Sequence, residues 1–266
     1  MRMQAIMNED AQILTLSDLA YKRLKQDIVA SRLLPGTRLA VKQISENYDI
    51  GASPVREALH RLAGEGLITS IGQRGFRVPP LNLEDLRDVT NTRVLLEIEA
   101  LQQSIRAGDD AWEAGVVAAY HQLEKLEQHE QLVEKEFAEW ERRNKQFHEA
   151  LVAACPSRWL RRLRDILHDQ HRRYRYLSTH AAAARDIASE HRALRDAALA
   201  RDFERAREVL RTHLERTAHT AEGMLKGYRT TDDTARRPPT QKGVPTRIAV
   251  FPRGANGRKK RLAGSR

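Results

Sequence analysis

Apolar residues recur at helical spacing over most of the chain, and one short segment near residue 70 has the pattern of a hairpin. In the first periodic segment, LSDLAYKRLKQDIVASRL, the side chains of Tyr21, Leu24 and Ile28 fall at i, i+3 and i+7 and share one face of a helix. Pro35 and Gly36 end that segment. The pattern predicts an amphipathic helix with one side packed against a core.

Two shorter helices are predicted next. The stretch AVKQISENY places Val41 and Ile44 inward. After a break near Gly51, a third helix is predicted with Ser53 at the N-cap and Pro54 at the first helical position, where a missing N–H does no harm. Its apolar stripe consists of Val55, Leu59 and Leu62. That stripe leaves a polar, cationic face formed by Ser53, Arg56 and His60, with Arg61 beside it.

A wing is predicted to follow the third helix. Gly66 ends the helix, and LITSI, GQRG and FRV have the pattern of a strand, a tight turn and a strand, with Gln73 and Arg74 at the tip. Such a module can read duplex DNA, because its second short helix fits the major groove and the wing reaches phosphates or the minor groove. The alternative is a helical pair that packs only for stability.

From Asn82 to about Lys226 every segment has helical periodicity. Breaks divide it into six helices, near Gly108, Gln131, Pro156, Thr179 and Asp202. In the first of them the inward residues include Leu95, Ile98, Leu101 and Ile105. The predicted fold is therefore mainly α: a winged helix-turn-helix over 14–80, an all-α helical bundle over 82–226 and a disordered basic tail over 227–266.

The net charge of +10 is concentrated in that tail, which holds 11 Lys or Arg against two Asp. The charge is thus not an argument that the folded part binds DNA. The tail has few large apolar residues and no helical period, so burial would not offset its ordering entropy. It is either an arm that adds non-specific phosphate contacts or a solvated basic extension.

Other classes of protein are disfavoured by composition. No apolar run approaches the length of a membrane span, and the first residues lack the features of a secretory signal, so we expect a cytoplasmic protein. The single cysteine, Cys155, cannot form an internal disulfide, and its place in LVAAC before Pro156 is typical of a small apolar residue closing a helix.

Three histidines of the helical region occupy apolar stripes. His191 and His213 each take a slot in a 0, 4, 7, 11 spacing of otherwise mostly apolar residues, and Asn144 and His148 lie four apart on one helical face. An i, i+4 pair completed by two imidazoles from separate helices can bind one metal ion. The alternative is that each histidine is a core residue satisfied by a neighbouring hydroxyl or carbonyl.

The stretch SPVREALHRLAGEGLI with the following GQRGFRV closely resembles the GntR family of bacterial regulators, over residues 16 to 79. The resemblance implies a homodimer on double-stranded DNA with a palindromic operator. It also places five residues at positions that usually meet DNA: Lys42, Ser53, Arg56, Arg74 and Gly75. Ala52 stands where many relatives carry a guanine-reading arginine, so roughly 1 to 3 kcal/mol of discrimination per half-site is absent or comes from elsewhere.

The segments RVLLEIEAL, NKQFHEALVAA, EHRALRDAALARD and LRTHLERT resemble the FadR C-terminal ligand-binding (FCD) domain, of the six-helix VanR-like type. The resemblance implies that a divalent transition metal (Zn, Mn or Ni) is bound by Asn144, His148, His191 and His213 and holds a small carboxylate effector. Asn144 stands where a metal-binding Asp is frequent. Because all four groups are neutral, an anionic ligand on the metal is favoured, while the intrinsic metal affinity falls.

Arg93 is a candidate second clamp for a carboxylate effector, since a guanidinium matches a carboxylate bidentately. The alternative is an ion pair with Glu97, four residues on. The RRYRY stretch at 172–176 either lines the same cavity or forms an exposed basic face.

The sequence thus predicts an effector-responsive, sequence-specific regulator, a repressor released from DNA by a small carboxylate, and not an enzyme. One alternative is a metal-free regulator that responds to acyl-CoA. A remote one is a helical metalloenzyme, for which the inward stripes offer no Glu or Asp beside the histidines. A third is an architectural DNA binder that uses the basic tail.

Overall fold

The computed structural model describes residues 14–72, 75–128, 132–178, 185–232 and 247–248. Within these ranges, three helices and a small sheet form an N-terminal domain, and six mostly longer helices form a C-terminal domain. The predicted mainly α fold, with a winged helix-turn-helix before a helical bundle, is confirmed.

The N-terminal domain has the predicted order of helices plus one strand that the sequence did not indicate. Its elements are α1 (Leu16–Val29), β1 (Arg38–Leu39), α2 (Val41–Tyr48), α3 (Ala52–Gly64), β2 (Thr69–Ser70) and β3 (Phe76–Arg77). The strands form an antiparallel sheet in the order β1-β3-β2. Strand β1 was not predicted because no hairpin turn joins it to its partner β3, whereas a tight glycine turn joins β2 to β3. Its pairing with β3 ties the wing to the segment before α2.

Helix α3 starts two residues earlier than predicted. Its N-cap is Gly51, and Val55 N–H donates to the Gly51 carbonyl at 3.2 Å, so Ser53 is not the cap and Pro54 is the third helical residue. A proline is tolerated there, because the first N–H groups of a helix have no acceptor within it. The predicted apolar stripe of α3 is confirmed, since Leu59 and Leu62 are fully buried.

The C-terminal domain contains the six predicted helices. They are α4 (Leu83–Ala107), α5 (Asp110–Glu127), α6 (Glu134–Leu151), α7 (Arg158–Ser178), α8 (Ile187–Leu199) and α9 (Phe203–Asp232). Cys155, between α6 and α7, is buried as expected. The inward position predicted for Leu95 is wrong: its side chain is 67% exposed, because the buried stripe of α4 passes through Val94 and the residues three and seven further on.

Of the predicted tail, the structure describes 227–232 as the end of α9 and Arg247–Ile248 as a strand, β5, paired with β4 (Leu132–Val133). The remaining residues of the predicted disordered tail lie outside the described residues. Among the helices that the structure describes, none combines the length and the apolar character that crossing a membrane would require.

Candidate functional site

The predicted DNA-binding face of α3 is exposed. The side chains of Ser53, Arg56 and His60 lie on the solvent side of the helix, opposite the buried stripe, and Pro54 is half-buried at its N-terminal end. Lys42, on α2, is 90% exposed and lies 4.0 Å from Glu46. These groups are therefore accessible to a DNA backbone.

Two of the predicted contact residues also hold the domain together. The His60 ring packs edge-on against Phe76 of the wing, with 5.1 Å between ring centroids. Arg61 donates to Asp18 at 2.7 Å and lies 4.2 Å over the ring of Tyr21, so its guanidinium faces α1. Arg61 thus serves the packing of α1 against α3, which argues against a contact with bases.

The wing tip is only partly described. Gln73 and Arg74 lie outside the described residues. Gly75 adopts a φ of +95°, in the region that side chains rarely adopt, and a Cβ there would lie 3.4 Å from the Leu39 carbonyl oxygen. This glycine is therefore required by the backbone of the wing, whatever its contact with DNA.

The predicted histidine cluster does assemble in the C-terminal domain. His148 from α6, His191 from α8 and His213 from α9 are all buried, and one candidate ligand atom from each lies within 4.8 Å of the other two. Their ring centroids are 4.9 to 5.5 Å apart. Three helices thus bring three imidazoles to one point inside the bundle.

Carboxylates orient two of these rings. Glu127, the last residue of α5, lies 2.7 Å from His191 Nδ1 and also accepts from Trp140 Nε1 at 3.1 Å. Glu190 lies 2.9 Å from His213 Nδ1. A proton on each Nδ1 leaves the Nε2 lone pair free for the centre of the cluster, as in the carboxylate–histidine pairs around many metal sites. The expectation that no acidic residue accompanies the histidines is therefore wrong.

The third histidine, His148, has a ring nitrogen that could bind a metal. His148 Nε2 is buried and has no hydrogen-bond partner among the described residues. Burial, together with the neighbouring His213 and His191, holds the pKa of His148 well below its usual value, and burial lowers the pKa of His213 in the same way. Neutral imidazoles with an orphaned ring nitrogen are the donor set that divalent zinc, nickel or manganese accepts, so the residues fit the predicted ion.

The side chain of Asn144 lies one turn from His148 and contacts the cluster. The hydrogen-bonding pattern places its amide nitrogen 3.2 Å from His191 Nε2 and its amide oxygen 3.0 and 3.2 Å from the guanidinium nitrogens of Arg175. The predicted grouping of Asn144 with the three histidines is therefore seen in the structure, and Arg175 joins it.

Arg93 forms the predicted ion pair. Its guanidinium lies 3.1 Å from Glu97, and both side chains are almost fully buried. Glu97 also accepts from Arg164 at 2.6 Å, and Arg93 lies 3.2 Å from His171 Nδ1. Burial lowers the pKa of Arg93 to about 10, which leaves it cationic at neutral pH. Its second predicted role, as a clamp for a carboxylate, stays a prediction.

Helix α7 contributes buried polar groups that the hydropathy pattern of the sequence does not reveal. His168 and His171 are buried, and the RRYRY stretch is not an exposed basic face, because Arg173 and Arg175 are buried as well. Arg175 donates to Glu141 at 2.6 Å. The 0, 4, 7, 11 spacing of Arg164, His168, His171 and Arg175 could have revealed this stripe, but polar residues at those slots do not stand out by hydropathy.

Two family descriptions match the chain. Residues 16–78 match the bacterial regulatory proteins of the gntR family, and residues 88–216 match the FCD domain. The HTH-type transcriptional regulator BphR of Paraburkholderia xenovorans is 45% identical over 207 residues, which is 77% of this chain and 84% of that protein. The HTH-type transcriptional repressor GlaR of Escherichia coli is 36% identical, over 73% of this chain and 90% of that protein.

A solved structure of E. coli McbR/YncC has the same fold, with a TM-score of 0.68 over 80% of this chain and all of that one, at 20% identity. The relatives are transcriptional regulators and not enzymes, so the metalloenzyme alternative is set aside. The chain belongs to the GntR family, with an FCD domain behind its winged helix-turn-helix, and is a DNA-binding transcriptional regulator.

Proposed function

We propose that this regulator is a repressor, released from its operator when a small carboxylate binds a divalent metal held by His148, His191, His213 and Asn144. The observation that carries the proposal is the cluster of three buried imidazoles with ligand atoms within 4.8 Å. The relative GlaR, which is 36% identical, is named a repressor, and this supports repression over activation.

The electrostatics of the site favour an anionic ligand. Asn144 and three neutral histidines would leave a divalent ion with its full charge. Arg93 and Arg164 share the carboxylate of Glu97. Arg172 and Arg175 share that of Glu141. Each group of two arginines and one glutamate therefore has one excess positive charge near the cluster. A carboxylate can bind the metal with one oxygen and accept from a guanidinium with the other, and this supports organic acids as the effector class.

Elemental analysis and calorimetric titration with Zn²⁺, Ni²⁺ and Mn²⁺ test the metal. We expect about one ion per chain, tighter binding in the presence of citrate or succinate, and loss of binding in His148→Ala and His213→Ala. His219→Ala, at an exposed position of α9, is the matched control and should bind as the wild type does. No metal under any condition in a folded protein would contradict the proposal and favour a metal-free effector such as an acyl-CoA.

Release from DNA is tested separately on an operator obtained by in vitro selection. Metal plus carboxylate should weaken operator binding of the wild type by about 5- to 150-fold, the usual range of allosteric coupling. The His213→Ala variant should bind the operator as before and show no release. Tighter operator binding with metal and carboxylate would reverse the sign and make the protein an activator or co-repressed regulator.

We also propose that the protein is a homodimer on a palindromic operator, because one winged module reads only one half-site. Trp159 and Leu163, four residues apart on α7, expose 57% and 47% of their surface, which supports a contact with a second copy. Light scattering should give twice the mass of the 30.4-kDa chain. The Trp159→Glu variant should be monomeric; a monomeric wild type would contradict the proposal.

A further inference from the structure

Helix α7 has two polar faces with different neighbours. Residues 164, 168, 171 and 175 form one stripe, because side chains three or four apart lie on the same side of a helix. Residues 169, 170 and 173 form the other. The first stripe faces the histidine cluster, and the second faces the DNA-binding domain.

The contacts of the first stripe reach two of the proposed metal ligands. Arg164 donates to the backbone carbonyl of His148 at 2.9 Å. In the amide orientation that satisfies both of its neighbours, the Asn144 oxygen accepts from Arg175 at 3.0 Å. Any rearrangement at Asn144 or His148 therefore acts directly on buried arginines of α7.

The contacts of the second stripe hold three parts of the winged domain. Asp169 forms an ion pair with Lys25 of α1 at 2.8 Å. Gln170 donates to the backbone carbonyl of Glu65, the C-cap of helix α3, at 2.8 Å. Arg173 donates to the carbonyl of Pro79, just after the wing, at 2.7 Å. The side chains of Asp169, Gln170 and Arg173 are all buried, so α7 fixes the end of the DNA-reading helix and the base of the wing.

Asn144 can satisfy its two neighbours in only one orientation when no metal is bound. Because Glu127 fixes the proton of His191 on Nδ1, His191 Nε2 is an acceptor and requires the amide NH₂ of Asn144. The amide oxygen then faces Arg175. For the oxygen to ligate a metal beside His191, the amide must turn over, and its NH₂ would then face the guanidinium, donor against donor.

We propose that α7 couples the metal centre to the DNA-binding domain. Metal binding changes the orientation of the Asn144 amide, and the contacts of Asp169, Gln170 and Arg173 transmit the resulting shift of α7 to the winged domain. Turning the amide removes one acceptor from Arg175, which keeps its hydrogen bond with Glu141. The donor-to-donor contact that replaces it pushes Arg175 away from Asn144, and the resulting shift of α7 moves its contacts with Lys25, Glu65 and Pro79. The inference rests on the proposed metal site. It also gives a reason for asparagine here, since the carboxylate of an aspartate could face metal and arginine at once.

Hydrogen–deuterium exchange of the full chain with and without Zn²⁺ tests the coupling, and calorimetry on the same samples measures Zn²⁺ binding. In the wild type, Zn²⁺ should change exchange at residues 62–68 and 79–86 by at least about threefold. In Asn144→Asp, Zn²⁺ should bind and the response should fall below about 1.5-fold. In Gln170→Ala/Arg173→Ala, Zn²⁺ binding should stay within about threefold of the wild type and the response should vanish.

Arg87→Ala is the matched control, because it breaks the exposed pair with Glu222 between α4 and α9 and should keep the full response. A wild-type response in Asn144→Asp would overturn the amide step, and one in the Gln170/Arg173 variant would overturn transmission through α7. Zn²⁺ binding with no response in the wild type would overturn the coupling alone. Absence of Zn²⁺ binding would overturn the metal site and, with it, this inference.

Discussion

The two domains place their polar groups in opposite ways. Among the buried polar residues that the structure describes, only Ser17 lies before residue 81, whereas the helical domain buries arginines, histidines and carboxylates along α4, α6 and α7. The core of the winged domain is otherwise apolar, around Leu24, Leu59 and Leu62. The winged domain keeps its functional groups on the outside, and the helical domain keeps its own inside.

This difference has a consequence for stability. An apolar core tolerates change at its surface, so exposed residues such as Lys42 and Arg56 can vary with little effect on folding, in contrast to Arg61, which also packs α1 against α3. A buried polar network must be satisfied at every member, since an unpaired charge in the interior is costly. Function and stability should therefore be separable in the winged domain and coupled in the helical domain.

The largest expected effect comes from breaking the buried ion-pair network. Glu97→Leu leaves Arg93 and Arg164 without their shared carboxylate and should lower the free energy of unfolding by about 3–5 kcal/mol, measured by urea denaturation. Glu99→Leu, an exposed site two residues on, is the control and should cost less than about 0.5 kcal/mol. If Glu97→Leu lowered the free energy of unfolding no more than the control does, the proposed difference in stability between the two domains would be contradicted.

The same contrast explains what the sequence could predict. The stripes of Leu59, Leu62 and Leu101 follow helical periodicity, so the helices and their buried faces were predictable. The three histidines were found because each interrupts an apolar stripe. Glu127 and Glu190 were not found, since they approach the histidines from other helices and periodicity carries no information on which helices are neighbours.

Helix α7 shows the limit most clearly. Its buried face carries Arg164, His168, His171 and Arg175, and a hydropathy pattern assigns such residues to the surface. Tertiary partners such as Glu97 and Glu141 make the burial of the two arginines possible. The start of α3 was predicted two residues too late for a local reason. Ser53 and Pro54 match the usual pattern of an N-cap and first helical residue, but the N-cap in the structure is Gly51.

A pH titration of stability should sharpen the contrast at a smaller scale. Burial, with Arg93 and Arg175 nearby, holds the pKa of His168 well below 6.5, so the folded protein keeps this ring neutral. Below about pH 6.5 the unfolded chain takes up a proton that the folded chain does not, and unfolding becomes easier by at most about 1.4 kcal/mol per pH unit and histidine. The stabilisation is complete above that pH and is lost as the pH falls.

His168→Leu should therefore lose less stability than the wild type between about pH 7 and 6. Thermal or urea unfolding at both pH values measures the difference. His219→Leu, at an exposed position of α9, is the matched control and should keep the wild-type dependence. An unchanged slope in His168→Leu would mean that His168 protonates equally in both states.

Helix caps test a feature that the domains share. Thr15 caps α1 in a reciprocal capping box with Asp18, and Asn82 caps α4 of the other domain. Thr15→Ala and Asn82→Ala should each cost about 1 kcal/mol in the unfolding of the domain concerned, followed by urea denaturation. Very unequal costs would show that the environment of the whole domain, and not the local cap, determines the effect.

The smallest effect on stability is expected at the DNA-facing surface. Lys42 is 90% exposed, and its Nζ lies 4.0 Å from Glu46, which makes a weak ion pair. Lys42→Ala should therefore change the unfolding free energy by less than about 0.5 kcal/mol. If Lys42 meets a phosphate, operator binding should nevertheless weaken, and the slope of log K against log salt should fall by about 1. Fluorescence anisotropy at several salt concentrations measures both, with Lys125→Ala, an exposed lysine of α5, as the control. An unchanged slope would remove Lys42 from the interface, whereas a loss of stability would show that the two domains do not differ in this respect.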